Sequence, residues 1–307
     1  VPTKAVIQSI DANTIYEVPL LMQKEGLDTV ILEKLNLDTS HNPDLERWSA
    51  FVESISAPSA EITIGLIGKY VELQDSYKSI LEALVHAGAS NKVKVNVVSV
   101  HSEHLEEQDI ASLLDGFDGI LVAPGFGSRG IEGKISAVHY ARTHGLPYFG
   151  ICLGMQMAVI EFARNVLNLE KANTVEVDEQ TPDPVIHLME DQKSVDQKGG
   201  TMRLGSWKCE VKSETTLSDA YSGKALIDER HRHRFELNNA YKNALEQAGM
   251  IASGINPDTG LVEAVEIQDH PWFLGVQFHP EYKSTVENPH PLFVSFVGAA
   301  KKYHQAK

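Results

Sequence analysis

Positive charge and cysteine are both scarce in this sequence. Lys and Arg number 27 against 42 Asp and Glu, a formal net charge of −15. That balance excludes a general nucleic-acid or membrane-surface role, which needs a basic face, but leaves room for a local basic pocket around a small anion. Two cysteines, Cys152 and Cys209, are too few for a disulfide framework in 307 residues and fit a reducing, cytoplasmic setting. No run approaches the roughly 18 consecutive apolar residues of a membrane helix, so no spanning segment is expected. Val1-Pro2-Thr3-Lys4 carries neither a start methionine nor an apolar signal core, and we expect a processed chain or a piece cut from a longer one. What remains is an ordinary globular composition, 42% hydrophobic and 22% charged. The length admits one large α/β domain with an appendage, or two modest domains.

Three zones are visible. Residues 1–39 alternate short apolar runs with turn residues, as in Ala5-Val6-Ile7 and Val18-Pro19-Leu20-Leu21-Met22. Residues 40–60, with Asn42-Pro43 and Ala57-Pro58-Ser59-Ala60, read as a linker or domain boundary. From residue 61 a strand–helix alternation begins. Ile62 to Ile67 is a buried-strand run, followed by Tyr77, Ile80, Leu81, Leu84 and Val85 at helical spacing. Further strands are expected over Val93–Val100, Gly119–Ala123 and Tyr148–Ile151, with helices over Ile135–Arg142 and around Met155, Val159, Phe162 and Val166. This is the pattern of an α/β, doubly wound, mostly parallel sheet, with ligands at the carboxyl ends of its strands. After about residue 200 the pattern turns to added β-hairpins.

Gly150-Ile151-Cys152-Leu153-Gly154 lies where the fourth strand stops and a helix starts. It is a G-x-nucleophile-x-G elbow with cysteine as the nucleophile. The free N–H groups of a helix start favour thiolate over thiol there. On the elbow alone, a buried structural cysteine stays an alternative. Cys209 alternates with charged residues and shares a face with Trp207 and Val211, which marks a strand core residue. A thiol nucleophile needs a histidine base and a group to orient it. His279 ends the strand-like run Leu274 to Phe278, and Glu281, two residues on, points to the same side. Pro124-Gly125-Phe126-Gly127 closes the third strand with backbone N–H groups free to face a ligand, though a plain turn explains it equally well.

Together and in this order, Pro124–Gly127, Gly150-Ile151-Cys152-Leu153-Gly154-Met155-Gln156 and His279-Pro280-Glu281 resemble the class I, or triad, glutamine amidotransferases. Gly68-Lys69-Tyr70-Val71-Glu72-Leu73, Gly127-Ser128-Arg129-Gly130-Ile131-Glu132-Gly133-Lys134, Glu229–Glu236 and His270-Pro271-Trp272-Phe273 are similar to the CTP synthase family. One departure is Ala123-Pro124-Gly125, where that family has a further glycine before the phenylalanine.

The resemblance implies residues 1–39 as the end of an ATP-dependent synthetase domain, 40–60 as the interdomain linker and 61–307 as the amidotransferase domain. It implies a glutaminase in which Cys152 attacks the glutamine amide, His279 moves the proton and Glu281 orients His279. Gly125, Phe126, Leu153, Gly154, Met155, Gln156, Glu176 and Arg234 are implied as glutamine-binding residues. Arg129 and Glu132 are implied beside an allosteric GTP. For the whole enzyme the family implies ATP, Mg²⁺ and GTP, amination of UTP to CTP, and a homotetramer. No metal or cofactor is expected in this part, and neither nucleic acid nor membrane as a partner. Without the family, Arg230 to Arg234 reads as a small-anion pocket: arginines do not ligate metals, and Asp228, Glu229 and Glu236 oppose a polyanion. Two rivals are a stand-alone Cys-His hydrolase of the same fold and a non-catalytic assembly or nucleotide-sensing module. The synthetase-like segment opposes the first, and the complete Cys, His and Glu set opposes the second.

Overall fold

The computed structural model describes residues 1–188 and 202–307. Its strands are β1 (Ala60–Gly68), β2 (Val93–His101), β3 (Gly119–Val122), β4 (Tyr148–Ile151), β5 (Asn173–Thr174), β6 (Pro184–Leu188), β7 (Arg203–Val211), β8 (Leu226–His233), β9 (Phe235–Leu237), β10 (Met250–Ile255), β11 (Val262–Ile267) and β12 (Phe273–Val276). The α-helices are α1 (Val18–Lys24), α2 (Leu27–Lys34), α3 (Glu46–Ser56), α4 (Lys78–Asn91), α5 (His104–Glu107), α6 (Ile110–Leu114), α7 (Ile131–His144), α8 (Leu153–Asn165), α9 (Thr216–Ala220), α10 (Asn239–Gln247) and α11 (Pro291–Ala306).

Nine strands form one sheet in the order β2-β1-β3-β4-β12-β11-β10-β7-β8. The first five run parallel and the remaining pairings are antiparallel. The doubly wound, mostly parallel half with added hairpins is therefore the architecture found. The inner parallel strands β1, β3, β4 and β12 are buried on both faces because helices cover both, whereas the edge strand β2 exposes Lys94, Val98 and Ser99. Ile62, Ile64 and Leu66 pack with Ile80 and Leu84 of α4 and Phe293 and Phe296 of α11. Ile67, Ile120 and Val122 pack with Ile135 and Val138 of α7 and Val159 and Phe162 of α8. Burying each such side chain stabilises the fold by about 1.5–3 kcal/mol. In β7 the alternation expected for Cys209 holds, with Cys209 and Val211 buried and Trp207 half-buried.

Residues 1–39 form short helical turns with no buried residue in α1 or α2. Residues 40–60 contain α3, which buries Phe51 and Val52 beside Ala89 of α4. The proline signals there mark the approach to a helix and its exit. The strands β5 and β9 and the helix α9 are too short for a period to register, whereas α10 interrupts the hairpins expected after residue 200 with a helical spacing of Tyr241, Ala244 and Leu245. Among the described residues, no helix is long and apolar enough to cross a membrane.

Candidate active site

Cys152 stands between the end of β4 and the start of α8 with φ 53° and ψ −102°, a conformation L-residues rarely adopt. Its N–H donates to the Val276 carbonyl at 2.7 Å, which ties the turn to β12. The two flanking glycines have steric reasons. A Cβ on Gly154 would sit 2.4 Å from the Val122 carbonyl oxygen, and one on Gly150 would sit 2.7 Å from the Gly154 carbonyl carbon. Only a chain without those side chains packs this tightly. Cys152 is a free thiol and 6% exposed.

Parallel pairing of β12 with β4, Val276 opposite Ile151, brings the residues after β12 over the elbow. His279 follows, its N–H held by the Arg230 carbonyl at 2.7 Å. His279 Nδ1 lies 2.8 Å from Glu281 Oε1, both side chains are buried, and the Tyr282 ring stacks on the imidazole at 5.2 Å. The Glu281 carboxylate accepts from Nδ1–H, so Nε2 is left for the sulfur side, where it makes no protein hydrogen bond of regular geometry. Burial opposes charge on this ring, but its interactions with Cys152 and with the Glu281 carboxylate outweigh that and raise the histidine well above its ordinary range. The three residues singled out as a triad are thus brought together.

The loop after β3 runs beside them. Lys134 of α7 is fully buried and donates to the Ala123 carbonyl at 3.1 Å, and Lys69 at the end of β1 donates to the Phe126 carbonyl. Burial, and secondarily the charge of Lys69, push the Lys134 ammonium down to about 7, with the interaction with Cys152 acting against them. Burial first, then Arg129, lowers Lys69 as well, with Glu176 and Glu103 opposing. Gly127, at φ 75°, donates its N–H to Glu176 Oε1 at 2.7 Å, which places Glu176 at this loop. Gly125 lies between Leu153 and the two lysines. The N–H of Leu153 opens α8 and has no intrahelical acceptor. Phe126 is 70% exposed under the Lys69 ammonium.

Other residues singled out from the sequence fall differently. Gln156 is buried, and its Nε2 donates to the Phe235 carbonyl at 2.9 Å and to Gln277 Oε1 at 3.2 Å. Met155 is fully buried against Gly275. The tract from Arg230 to Arg234 splits: along β8, His231 and His233 point inward, Arg230 and Arg232 outward, and Arg234 is half-buried at the break before β9. Arg129 pairs with Glu103 at 3.2 Å and lies over Tyr70, while Glu132 pairs with Arg164 at 2.7 Å. Arg129 and Glu132 are therefore engaged separately. Among the described residues, no three His, Cys, Asp or Glu side chains converge on a metal position.

Sequence reasoning passed over Lys69, Lys134 and Gln277. Gln277 had a signal: it precedes His279 by two residues, so an extended chain sets both on one side. Its Nε2 lies 3.7 Å from Cys152 Sγ.

This geometry has counterparts. Residues 72–299 match the model of the glutamine amidotransferase class-I family. The chain is 59% identical to the CTP synthase of Flavobacterium johnsoniae over 99% of its own length and 57% of that protein's. It is 62% identical to the CTP synthase of Christiangramia forsetii over 98% of its length and 55% of that protein's. It thus spans little more than half of these relatives. Among solved structures it resembles the CTPS glutaminase domain of Trypanosoma brucei with bound acivicin, with a TM-score of 0.74 and 38% identity, covering 78% of this chain and 94% of that one. With its strained elbow, its buried His279–Glu281 pair and these relatives, the chain belongs to the class I glutamine amidotransferases, in the CTP synthase line.

Proposed function

We propose that this chain hydrolyses L-glutamine through a Cys152 thioester and that the ammonia serves the ATP-dependent amination of UTP to CTP. The observation that carries the reading is the free cysteine on the strained turn at φ 53°, next to a histidine whose other nitrogen is held by Glu281 at 2.8 Å. The Cys152 thiolate attacks the side-chain amide carbon, and the C=O pair moves onto oxygen. The N–H groups of Leu153 and of the Gly125 loop face that oxyanion, with the buried Lys134 behind the loop. Protonated His279 then gives its proton to the amide nitrogen, the C–N bond breaks and ammonia leaves. His279 next takes a proton from water as it attacks the thioester, and glutamate is released with the thiolate restored.

A zwitterionic substrate needs a carboxylate for its ammonium and a guanidinium for its carboxylate, roles assigned here to Glu176 and Arg234. Phe126 is assigned to the pocket wall, with the buried Gly154, Met155 and Gln156 behind it under the elbow. Residues 61–307 form the amidotransferase unit, 1–39 the end of a synthetase domain and 40–60 the connection between them. ATP and Mg²⁺ belong to that synthetase partner. Arg129, exposed beside Tyr70 and near Lys69, suits an anionic nucleotide such as GTP, whereas Glu132 is already paired with Arg164. The whole enzyme is proposed as a cytoplasmic homotetramer.

A glutamine-analogue diazoketone tests the nucleophile directly. Mass spectrometry is expected to find one adduct, on Cys152, with none on Cys209, whose thiol is buried in the core and raised far out of its ordinary range by burial. Label on Cys209 instead would remove the basis of the mechanism.

A further inference from the structure

Behind the nucleophile runs a chain of hydrogen bonds whose directions are forced. The Phe235 carbonyl can only accept, and it meets Gln156 Nε2 at 2.9 Å and His233 Nδ1 at 3.2 Å. Gln156 must therefore present its nitrogen to this carbonyl. The same nitrogen lies 3.2 Å from the amide of Gln277, so the atom of Gln277 facing it has to be the oxygen. That leaves the nitrogen of Gln277 turned to Cys152 Sγ, at 3.7 Å. Flipping Gln277 would set N–H against N–H at one end and an oxygen lone pair against the sulfur at the other. Burial of both amides, at 0% and 3% exposure, makes such a mismatch costly. The far end is anchored too. With Nδ1 of His233 donating to Phe235, its Nε2 lies 2.9 Å from His231 Nδ1, which supplies the next proton in the row.

We propose that Gln277 is a further catalytic residue, whose amide N–H stabilises the Cys152 thiolate, and that Gln156 and the Phe235 carbonyl are the positioning groups that hold it in that orientation. The inference rests on the glutaminase reading for its purpose. The proton lost by the thiol goes to His279 Nε2, and the Gln277 N–H bond is never broken. In the thioester the sulfur carries no charge and the contact weakens. When water expels the thiolate, the same N–H receives the charge again, so Gln277 acts on both halves of the reaction. The other charged groups facing the sulfur are His279, from the segment after β12, and Lys134, from α7. His231 and His233 on β8 stand near His279.

The test is the pH profile of Cys152 alkylation by chloroacetamide, read by intact mass, in the wild-type chain, Gln277→Leu and Gln277→Glu. Gln277→Leu is expected to displace the profile to higher pH and slow the reaction at pH 7 about tenfold, the loss of one charge-assisted hydrogen bond. Gln277→Glu keeps the acceptor for Gln156 and sets a carboxylate on the sulfur, so its profile should move at least as far. If Gln277→Leu does not fold, as thermal unfolding would show, Gln277→Glu supplies the reading with almost unchanged volume. Profiles that superimpose on the wild type, or rates that fall equally at every pH, would overturn the proposal. Alkylation needs no glutamine, so a wild-type chain that failed to hydrolyse glutamine would refute the function while leaving this measurement to decide Gln277.

Discussion

At the scale of single residues, the site is a set of buried charges with few choices. His279 is raised well above its ordinary range by its interactions with Cys152 and Glu281 despite its burial. Lys134 is the opposite case, an ammonium held at 0% exposure on one carbonyl, with another lysine nearby and its titration pushed down to about 7. Its linkage to stability has a definite sign. Between about 7 and the ordinary 10.5, the unfolded chain binds more protons at this position than the folded one, so stability rises with pH across that window. Lys134→Met removes this dependence. The variant should gain stability relative to wild type at pH 7 and below, by an amount on the order of a few kcal/mol, and lose that advantage by pH 10. Chemical denaturation at several pH values measures it, and a difference that grew with pH would show that the ammonium is not desolvated. Cys152 and His279 were legible because each follows a strand, and Glu281 because it stands two residues after His279, where the structure has a short 3-10 turn, Pro280–Lys283. Lys134 was not: a lysine in a helical pattern gives no sign of whether it points to water or into the loop below.

At the scale of elements, the elbow is the part most tightly specified by packing. The close approach of Gly154 to the Val122 carbonyl means that β3, β4 and α8 meet with no space for a methyl group. Gly154→Ala should therefore cost about 1–3 kcal/mol of stability, as overpacking does, and move Leu153 N–H and Cys152 together. Urea unfolding and the alkylation rate of Cys152 would report both effects. An alanine variant as stable and as reactive as wild type would mean that the elbow can relax. The β/α alternation from residue 61 was readable because the inner parallel strands are apolar on both faces and their helices carry a 3.6-residue period. The strands β5 and β9 were not, since Asn173–Thr174 and Phe235–Leu237 are too short for any period to register. The connecting segment 40–60, read from its prolines, carries the helix α3, whose apolar spacing of Trp48, Phe51, Val52 and Ile55 docks it beside Ala89. The arginines and histidines of β8 looked like one pocket and are sorted by strand alternation to opposite faces.

At the scale of the whole molecule, the groups proposed as catalytic gather where the sheet changes character. The parallel strands β4 and β12 carry Cys152 and lead into His279, and from β12 onward the pairings turn antiparallel, bringing β8 round so that its Arg230 carbonyl holds the His279 backbone. A doubly wound sheet offers ligands the carboxyl ends of its strands, and the hairpins close the far side of the site. The chain spans 57% and 55% of two relatives named CTP synthase, and its sequence shows no phosphate-binding loop of the G-x-x-x-x-G-K-[ST] kind. On the reading proposed above, the 307 residues by themselves release ammonia from glutamine, and amination of UTP needs the synthetase partner. The most direct measurement supplies L-glutamine, UTP, ATP and Mg²⁺ and follows ammonia and CTP separately, for wild type and for Cys152→Ala. Slow ammonia release is expected from the wild type, none from the folded Cys152→Ala chain, and no CTP from either. Ammonia release that survives in Cys152→Ala would contradict the mechanism.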